Sequence, residues 1–262
     1  MSDIRVEKIS LGYGHRQVVK DITFSLPAGQ MTGLVGPNGS GKSTIIKALS
    51  RVLAPQGGRV LMDGRDIREI PRRELACLLG VVPQIPLLPG SFSAFEIVLM
   101  GRNPHLGLLR YEGRHDMEIA MESMRQTGTT HLAGRRIGEL SGGEIQCVVI
   151  ARVLTQQPRI ILMDEPTANL DVGRQIEILD LMQGLCRREG LTVGVALHDL
   201  NLAVQYCSQM VLLAEGGIRA SGTPREVVSA ENIRAAYGPG SVVHWLDGLP
   251  AVLPRAGTSR NA

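Results

Sequence analysis

Eight consecutive residues, Gly36-Pro37-Asn38-Gly39-Ser40-Gly41-Lys42-Ser43, fit the pattern G-x-x-x-x-G-K-[ST] in full. Glycines let successive backbone N–H groups turn inward and form a nest for an anion. A helix starting near Ser43 adds the positive end of its dipole at the same spot. Lys42 supplies a point charge to β- and γ-phosphates, and the Ser43 hydroxyl can ligate Mg²⁺. A second element comes later in the chain. The run Arg159-Ile160-Ile161-Leu162-Met163-Asp164-Glu165 is apolar until its last two residues. Such a run predicts a strand buried on both faces. Its carboxyl end delivers Asp164 and Glu165 to the crevice where parallel sheets bind ligands. Asp164 is placed to hold Mg²⁺ through water. Glu165 is expected to point elsewhere, because strand side chains alternate. That leaves it free to orient or deprotonate a water.

The elements that hold these residues can be read from periodicity and turn residues. Met31 to Val35 is a short apolar strand leading into the loop, and a helix is predicted from Ser43 to about Leu53. The first 30 residues read as short strands and turns. Further strands are expected at Arg59–Met62, which ends at the turn Asp63-Gly64, and at Leu78–Val82, which Pro83 stops. From about Gln84 to Pro158 the pattern is mostly helical, with helices expected around 97–100, 116–126 and 144–154. Residues 85–93 and 101–113 read as connecting loops. Strand and helix then alternate again through 160–163, 173–188, 192–197, 199–206 and 210–213. The prediction is a split α/β core with a helical insert. Its boundaries are 1–83 and 159–240 for the core, 84–158 for the helical part, and 241–262 for a C-terminal tail, frayed from Pro254.

Composition narrows the function classes. The chain has 262 residues, of which 44% are hydrophobic and 20% charged, with a net charge of +3. That is a globular composition with ample length for a core. The mild charge gives no ground for nucleic-acid binding, and 3% aromatics make a base-stacking platform improbable. The four cysteines, Cys77, Cys147, Cys186 and Cys207, have no zinc-ligand spacing and are expected as reduced thiols. The opening MSDIRVEKIS has no basic head followed by an apolar stretch and is not expected to be a signal peptide. No apolar run reaches the roughly 18 residues that would span a bilayer.

Leu140-Ser141-Gly142-Gly143-Glu144 lies just upstream of the Asp-Glu strand. With it, the chain resembles the ATP-binding cassette family of transport ATPases over roughly residues 3–240, and this pentapeptide looks like the family's signature. Other matches follow in order. Gln84 resembles the Q-loop glutamine, Asn169-Leu170-Asp171 the D-loop, His198 the switch histidine, and Tyr13 the aromatic that stacks on adenine. The resemblance implies a P-loop NTPase core, a mostly parallel sheet flanked by helices. An antiparallel β subdomain at the N-terminus and a helical subdomain insert complete it. ATP and Mg²⁺ are the implied ligands. The implied ATP contacts are Tyr13, residues Gly36 through Thr44, Ser141, Gly142, Gly143 and Asp171. Ser43, Gln84 and Asp164 are the implied metal contacts, and Glu165, His198 and Gln84 the catalytic ones. In this family the signature closes on ATP held by another subunit, so a head-to-tail dimer is implied. Ser141-x-x-Glu144 also fits a capping box at the start of a helix. The family more often has Gln where Glu144 stands; either side chain closes a capping box, so activity is expected to survive, with slower closure on the γ-phosphate as the hypothesis the extra carboxylate raises.

Three dispersed segments, 98–105, 198–203 and 222–228, together resemble the importers of iron chelates, haem and vitamin B12. The resemblance implies a pair of cassettes, expected to be identical, beneath polytopic membrane permease subunits at the cytoplasmic face of the inner membrane. An extracytoplasmic binding protein would feed them. Residues 84 to about 115 would dock the permease, with Arg102, His105, Arg110, Arg114 and His115 as candidates or else as a solvated loop. Alternatives are an iron–sulfur assembly ATPase, an exporter ATPase and a nucleotide-binding scaffold. DNA-repair relatives carry a long coiled coil, and the interval from Ser43 to Ser141 shows no sustained heptads.

Overall fold

Alternating apolar residues in the first 26 positions build two long strands, β1 (Ile4–Tyr13) and β2 (Arg16–Leu26). They pair antiparallel and bury Ile4, Val6, Ile9 and Leu11 beneath one face. With β4 (Gly57–Met62) and β5 (Arg65–Asp66) they form a four-stranded sheet in the order β2-β1-β4-β5. The structure, a computed structural model, describes residues 2–106, 111–168 and 170–255.

The second sheet carries the site. Its strands are β3 (Met31–Val35), β6 (Leu79–Val82), β7 (Ile160–Asp164), β8 (Thr192–Ala196), β9 (Gln209–Ala214) and β10 (Gly217–Gly222). They lie in the order β10-β9-β3-β8-β7-β6, and every pairing but β10 with β9 is parallel. The central strands are buried on both faces. On β7, Ile161 and Met163 pack into one apolar cluster, while Ile160 and Leu162 pack into another. Continuous apolar strands are what this double burial requires.

Helix α1 (Lys42–Leu49) follows β3 and ends four residues before the expected Leu53, where Arg51 turns at φ +60°. After α2 (Arg72–Leu78) and β6 the chain becomes helical, in α3 (Ala94–Leu99), α4 (Arg114–Gln126) and α5 (Gly142–Thr155). These share a third cluster that includes Ile97, Met124, Leu132 and Val148. A 3-10 turn, Met100–His105, occupies part of the stretch read as loop. Helices α6 (Val172–Glu189) and α7 (Leu200–Tyr206) pack on the sheet. The chain then forms α8 (Pro224–Val227), α9 (Ala230–Tyr237) and a hairpin, β11 (Ser241–Leu246) and β12 (Leu249–Pro254). Residues 241–254 are therefore ordered strands where a tail was expected. No helix among the described residues is long and apolar enough to cross a membrane. Cys147, Cys186 and Cys207 are buried free thiols, and burial pushes Cys207 up to about 12. Such a thiol is inert.

The cations of the expected docking segment divide. Arg102 is only 6% exposed. It donates to Asp116 Oδ1 at 2.8 Å, to the Thr155 carbonyl at 3.0 Å and to Gln157 Oε1 at 3.0 Å. It ties the 3-10 turn to α4 and α5 and cannot present itself to a partner. His105 is likewise engaged, its Nε2 2.8 Å from the Gln156 carbonyl. Arg114 is exposed and pairs with Glu118, and Arg110 lies outside the described residues. Arg102→Glu would set a carboxylate against Asp116 in a nearly closed site. The expected loss is about 3 kcal/mol, the low end for a broken buried pair because Asp116 keeps some solvent. Thermal unfolding checks it. Unchanged stability would mean that Arg102 does not tie these elements together.

Candidate active site

Four neighbouring strands end at one place. In the order β3, β8, β7, β6, their carboxyl ends lead to the phosphate loop, His198, Asp164-Glu165 and Gln84. Parallel sheets gather functional side chains at this edge because each strand's crossover returns to the opposite one.

The loop is shaped by glycine where nothing else fits. At Gly36 φ is +150°, and a Cβ there would lie 2.3 Å from the carbonyl oxygen of Leu213. At Gly41 φ is +103°, and a Cβ would lie 2.5 Å from Val19 Cγ2. Gly41 is also the N-cap of α1, with no side chain capping the helix and no acidic residue in its first turn. The first-turn amides are left for an anion. Lys42 is 4% exposed, and its Nζ donates to the carbonyls of Gly36 at 2.8 Å and Pro37 at 3.2 Å. Burial lowers its pKa, opposed by the nearby Glu165 and Asp164 carboxylates. The Ser40 hydroxyl is buried beside Gly36 without a partner.

The Ser43 hydroxyl donates to Asp164 Oδ1 at 2.8 Å. Burial raises the pKa of Asp164, and this hydrogen bond opposes the shift. A hydroxyl and a carboxylate at this distance are hard oxygen donors suited to Mg²⁺, which takes few protein ligands and completes its shell with phosphates and water. The donor set fits that ion.

Glu165 is 8% exposed and sits between Gln84 and His198. Gln84 Nε2 donates to Glu165 Oε2 at 2.5 Å, and His198 Nε2 lies 2.5 Å from Glu165 Oε1. Strand alternation is not what aims this side chain. The strand ends at Asp164, and Glu165 has φ +51°, with its N–H donating to the Ala196 carbonyl at 3.1 Å. A left-handed residue directly after the strand puts both carboxylates on the same crevice.

Gly41, Lys42, Ser43, Gln84, Glu165 and His198 line a cavity of about 580 Å³ that also includes Asn38, Gly39 and Thr44, and Asp164 meets it through the Ser43 hydroxyl. Tyr13 stands at its mouth, 48% exposed, with Lys47 Nζ 5.9 Å from the ring centroid. Arg16 also lines the cavity, and sequence reasoning missed it; a basic residue just past the Tyr13 turn is its only signal. Ser141, Gly142, Gly143 and Asp171 are not brought to this cavity. Asp171 caps α6 by accepting from the Arg174 N–H at 3.0 Å, and Asn169 lies outside the described residues.

The second glycine pair starts α5. Ser141 is its N-cap in a complete capping box. The Ser141 N–H and Oγ donate to Glu144 Oε2 at 2.7 and 2.8 Å, and the Glu144 N–H donates back to Oγ at 3.4 Å. These bonds hold the Glu144 carboxyl below the usual range, and Arg135 lies 3.5 Å away. The negative charge is fixed at a helix N-terminus. Glu144→Gln keeps the box and removes the charge, so steady-state ATP turnover is expected to rise about two- to threefold, the scale of a partly screened charge at a helix end. An unchanged rate would show that the carboxylate does not oppose an incoming phosphate.

The ABC transporter family model matches residues 19–168. The ferric enterobactin transport ATP-binding protein FepC of Escherichia coli (strain K12) is 40% identical over 258 residues, 98% of this chain and 95% of that protein. The hemin import ATP-binding protein HmuV of Gloeobacter violaceus is 39% identical over 265 residues, 98% and 95% of the two chains. Among solved structures, an inward-facing ABC transporter described as of metal-chelate type has a TM-score of 0.82 at 28% identity, covering 97% of this chain and 98% of that one. The dimeric structure of the cassette MJ0796 has a TM-score of 0.76 at 27% identity, covering 84% and 98%. Fold, phosphate loop and end-to-end similarity agree: the chain belongs to the ABC transporter family, as one of its ATPase cassettes.

Proposed function

We propose that this chain is the ATP-hydrolysing subunit of an importer for a metal chelate, an iron siderophore, haem or cobalamin, and that it works as a head-to-tail pair beneath a membrane permease. The observation that carries the hydrolytic part is Glu165, held between Gln84 and His198 beside the phosphate loop. The names of the end-to-end relatives support chelate uptake. Segments 1–83 and 159–240 serve as the nucleotide-binding core and 84–158 as the helical subdomain, of which 84 to about 115 meets the permease.

In this reading Lys42 and the first-turn amides of α1 bind the β- and γ-phosphates, and Tyr13 packs on the adenine. Ser43, Asp164 and Gln84 would hold Mg²⁺, which would shield the phosphate charge. Glu165 takes a proton from the attacking water. His198, on the other carboxylate oxygen, orients that group and faces the γ-phosphate. Ser141, Gly142, Gly143 and Asp171 act on the nucleotide of the opposite copy, which accounts for their distance from the cavity of their own chain. Two bound nucleotides then draw the pair shut, and hydrolysis removes the bridge between them. Besides the exposed Arg114, the docking segment 84–115 presents apolar side chains, with Ile85, Leu87 and Tyr111 75%, 94% and 92% exposed.

The test is a tagged pull-down from detergent-solubilised native membranes. A polytopic membrane protein is expected to co-purify, and its companion binding protein would identify the chelate. A soluble partner instead would overturn the importer reading in favour of an assembly ATPase.

A further inference from the structure

The segment His198-Asp199-Leu200-Asn201 uses each polar side chain differently. Asp199 caps α7, its Oδ1 accepting from the N–H groups of Asn201 at 2.7 Å and Leu202 at 3.2 Å. Asn201 turns away from the helix. Its Oδ1 accepts from the Val252 N–H at 2.8 Å, and its Nδ2 donates to the Val252 carbonyl at 3.2 Å. One amide thus satisfies both backbone groups of a single residue in β12. Val252 and its cross-strand partner Val243 pack on the cluster that holds Leu197, Leu200, Ala203 and Val204. The hairpin therefore grips α7 by a polar clamp at its first turn and by an apolar face along its length.

That grip bears on His198. The side chain is 47% exposed, yet its Nε2 lies 2.5 Å from Glu165 Oε1. A ring so open to solvent has little packing to fix it. Its position is set by the chain on either side, β8 before it and α7 after it. The strand is pinned next to His198, where the Leu197 N–H donates to the Leu34 carbonyl at 3.1 Å. On the helix side the clamp from Asn201 comes three residues later. The same C-terminal region also reaches the phosphate loop. The Tyr237 hydroxyl, at the end of α9, is buried close to the backbone of Gly36.

We infer that Asn201 is a positioning residue for His198, and that through it the C-terminal hairpin braces the hydrolytic site. The inference rests on the proposed role of His198 in hydrolysis. Two ordinary hydrogen bonds in contact with solvent contribute modestly. Their loss should lower turnover by about fivefold and leave nucleotide binding alone.

The experiment compares the full chain with Asn201→Ala, His198→Ala and the double variant, measuring kcat, KM and equilibrium ATP affinity. Asn201→Ala is expected to lower kcat about fivefold with KM and affinity within about twofold. In the His198→Ala background the same substitution should change kcat by less than about 1.5-fold, because the group it positions is gone. Equal factors in both backgrounds would mean that Asn201 does not act through His198, and would overturn the inference. So would an unchanged kcat, or a joint fall in kcat and affinity, which marks a merely structural role. His198→Ala with undiminished turnover would instead remove His198 from hydrolysis, a failure of the underlying reading that is visible separately.

Discussion

Glu165→Gln is expected to bind ATP with affinity within about twofold of the parent chain and to hydrolyse it at least a hundredfold more slowly, the scale of a lost general base. The two side chains have the same shape. Gln fills the pocket between Gln84 and His198 and can keep a hydrogen bond to one of them. It cannot accept a proton from water. Its backbone geometry also survives, since the left-handed φ of +51° at this position is available to either residue. The phosphate contacts at Lys42, Ser43 and the α1 amides lie on a different strand end and none is made by Glu165, so binding changes little even though the Glu165 charge acts on Lys42. Phosphate release and nucleotide titration on the same preparation read the two quantities. With ATP retained and unhydrolysed, the variant should also accumulate as a dimer in size-exclusion chromatography when ATP is present. Hydrolysis at the parent rate would remove Glu165 as the base. Lost affinity would show that the carboxylate shapes the phosphate site rather than the attacking water.

What could be read from the sequence was what local chemistry decides. The loop at 36–43 declares itself because each glycine answers a backbone requirement within a few residues. The apolar run ending at Asp164 declares itself because double burial leaves no room for a polar residue. Two misreadings have a common cause in long-range contact. Glu165 was expected to continue a strand, but the Ala196 carbonyl on β8 captures its N–H and the chain turns. Arg102 read as a loop cation, yet its partners are 14, 53 and 55 residues away, and no window of sequence holds them together. The C-terminal hairpin is different, for its signal was local. Asp247-Gly248, with φ +50° and +78°, is the Asp-Gly pair of a type I′ turn between two apolar runs. Its strands are short and carry exposed Trp245 and Leu246, which is why they resembled a tail. The signature glycines pose the converse case. They were legible as an anion site, but one chain does not bring them to its own cavity.

Lys42→Ala should abolish measurable ATP binding at concentrations that saturate the parent chain, a loss of a hundredfold or more. The argument begins with the environment of the ammonium group. It is nearly closed to water and held by the Gly36 and Pro37 carbonyls, with Asp164 and Glu165 as neighbouring charges. Hydrogen bonds to a charged group contribute about 1.5–3 kcal/mol each, and 1.36 kcal/mol is tenfold. Removing the cation loses its bonds to phosphate. It also leaves two carboxylates facing an incoming polyanion with less to offset them. Lys42→Arg should rescue little, because a planar fork cannot follow the ammonium into a site bounded by two backbone carbonyls 2.8 and 3.2 Å from Nζ. A fluorescent-nucleotide titration measures the loss, and near-native affinity would mean that this loop is not the phosphate site. Combining the change with Glu165→Gln sharpens the inference. If the two residues serve separate steps, the double variant must behave as Lys42→Ala alone and fail to dimerise with ATP. The dimer formed by the single Glu165→Gln variant would then be a consequence of nucleotide held by Lys42, and not of a carboxylate removed from a repulsive interface.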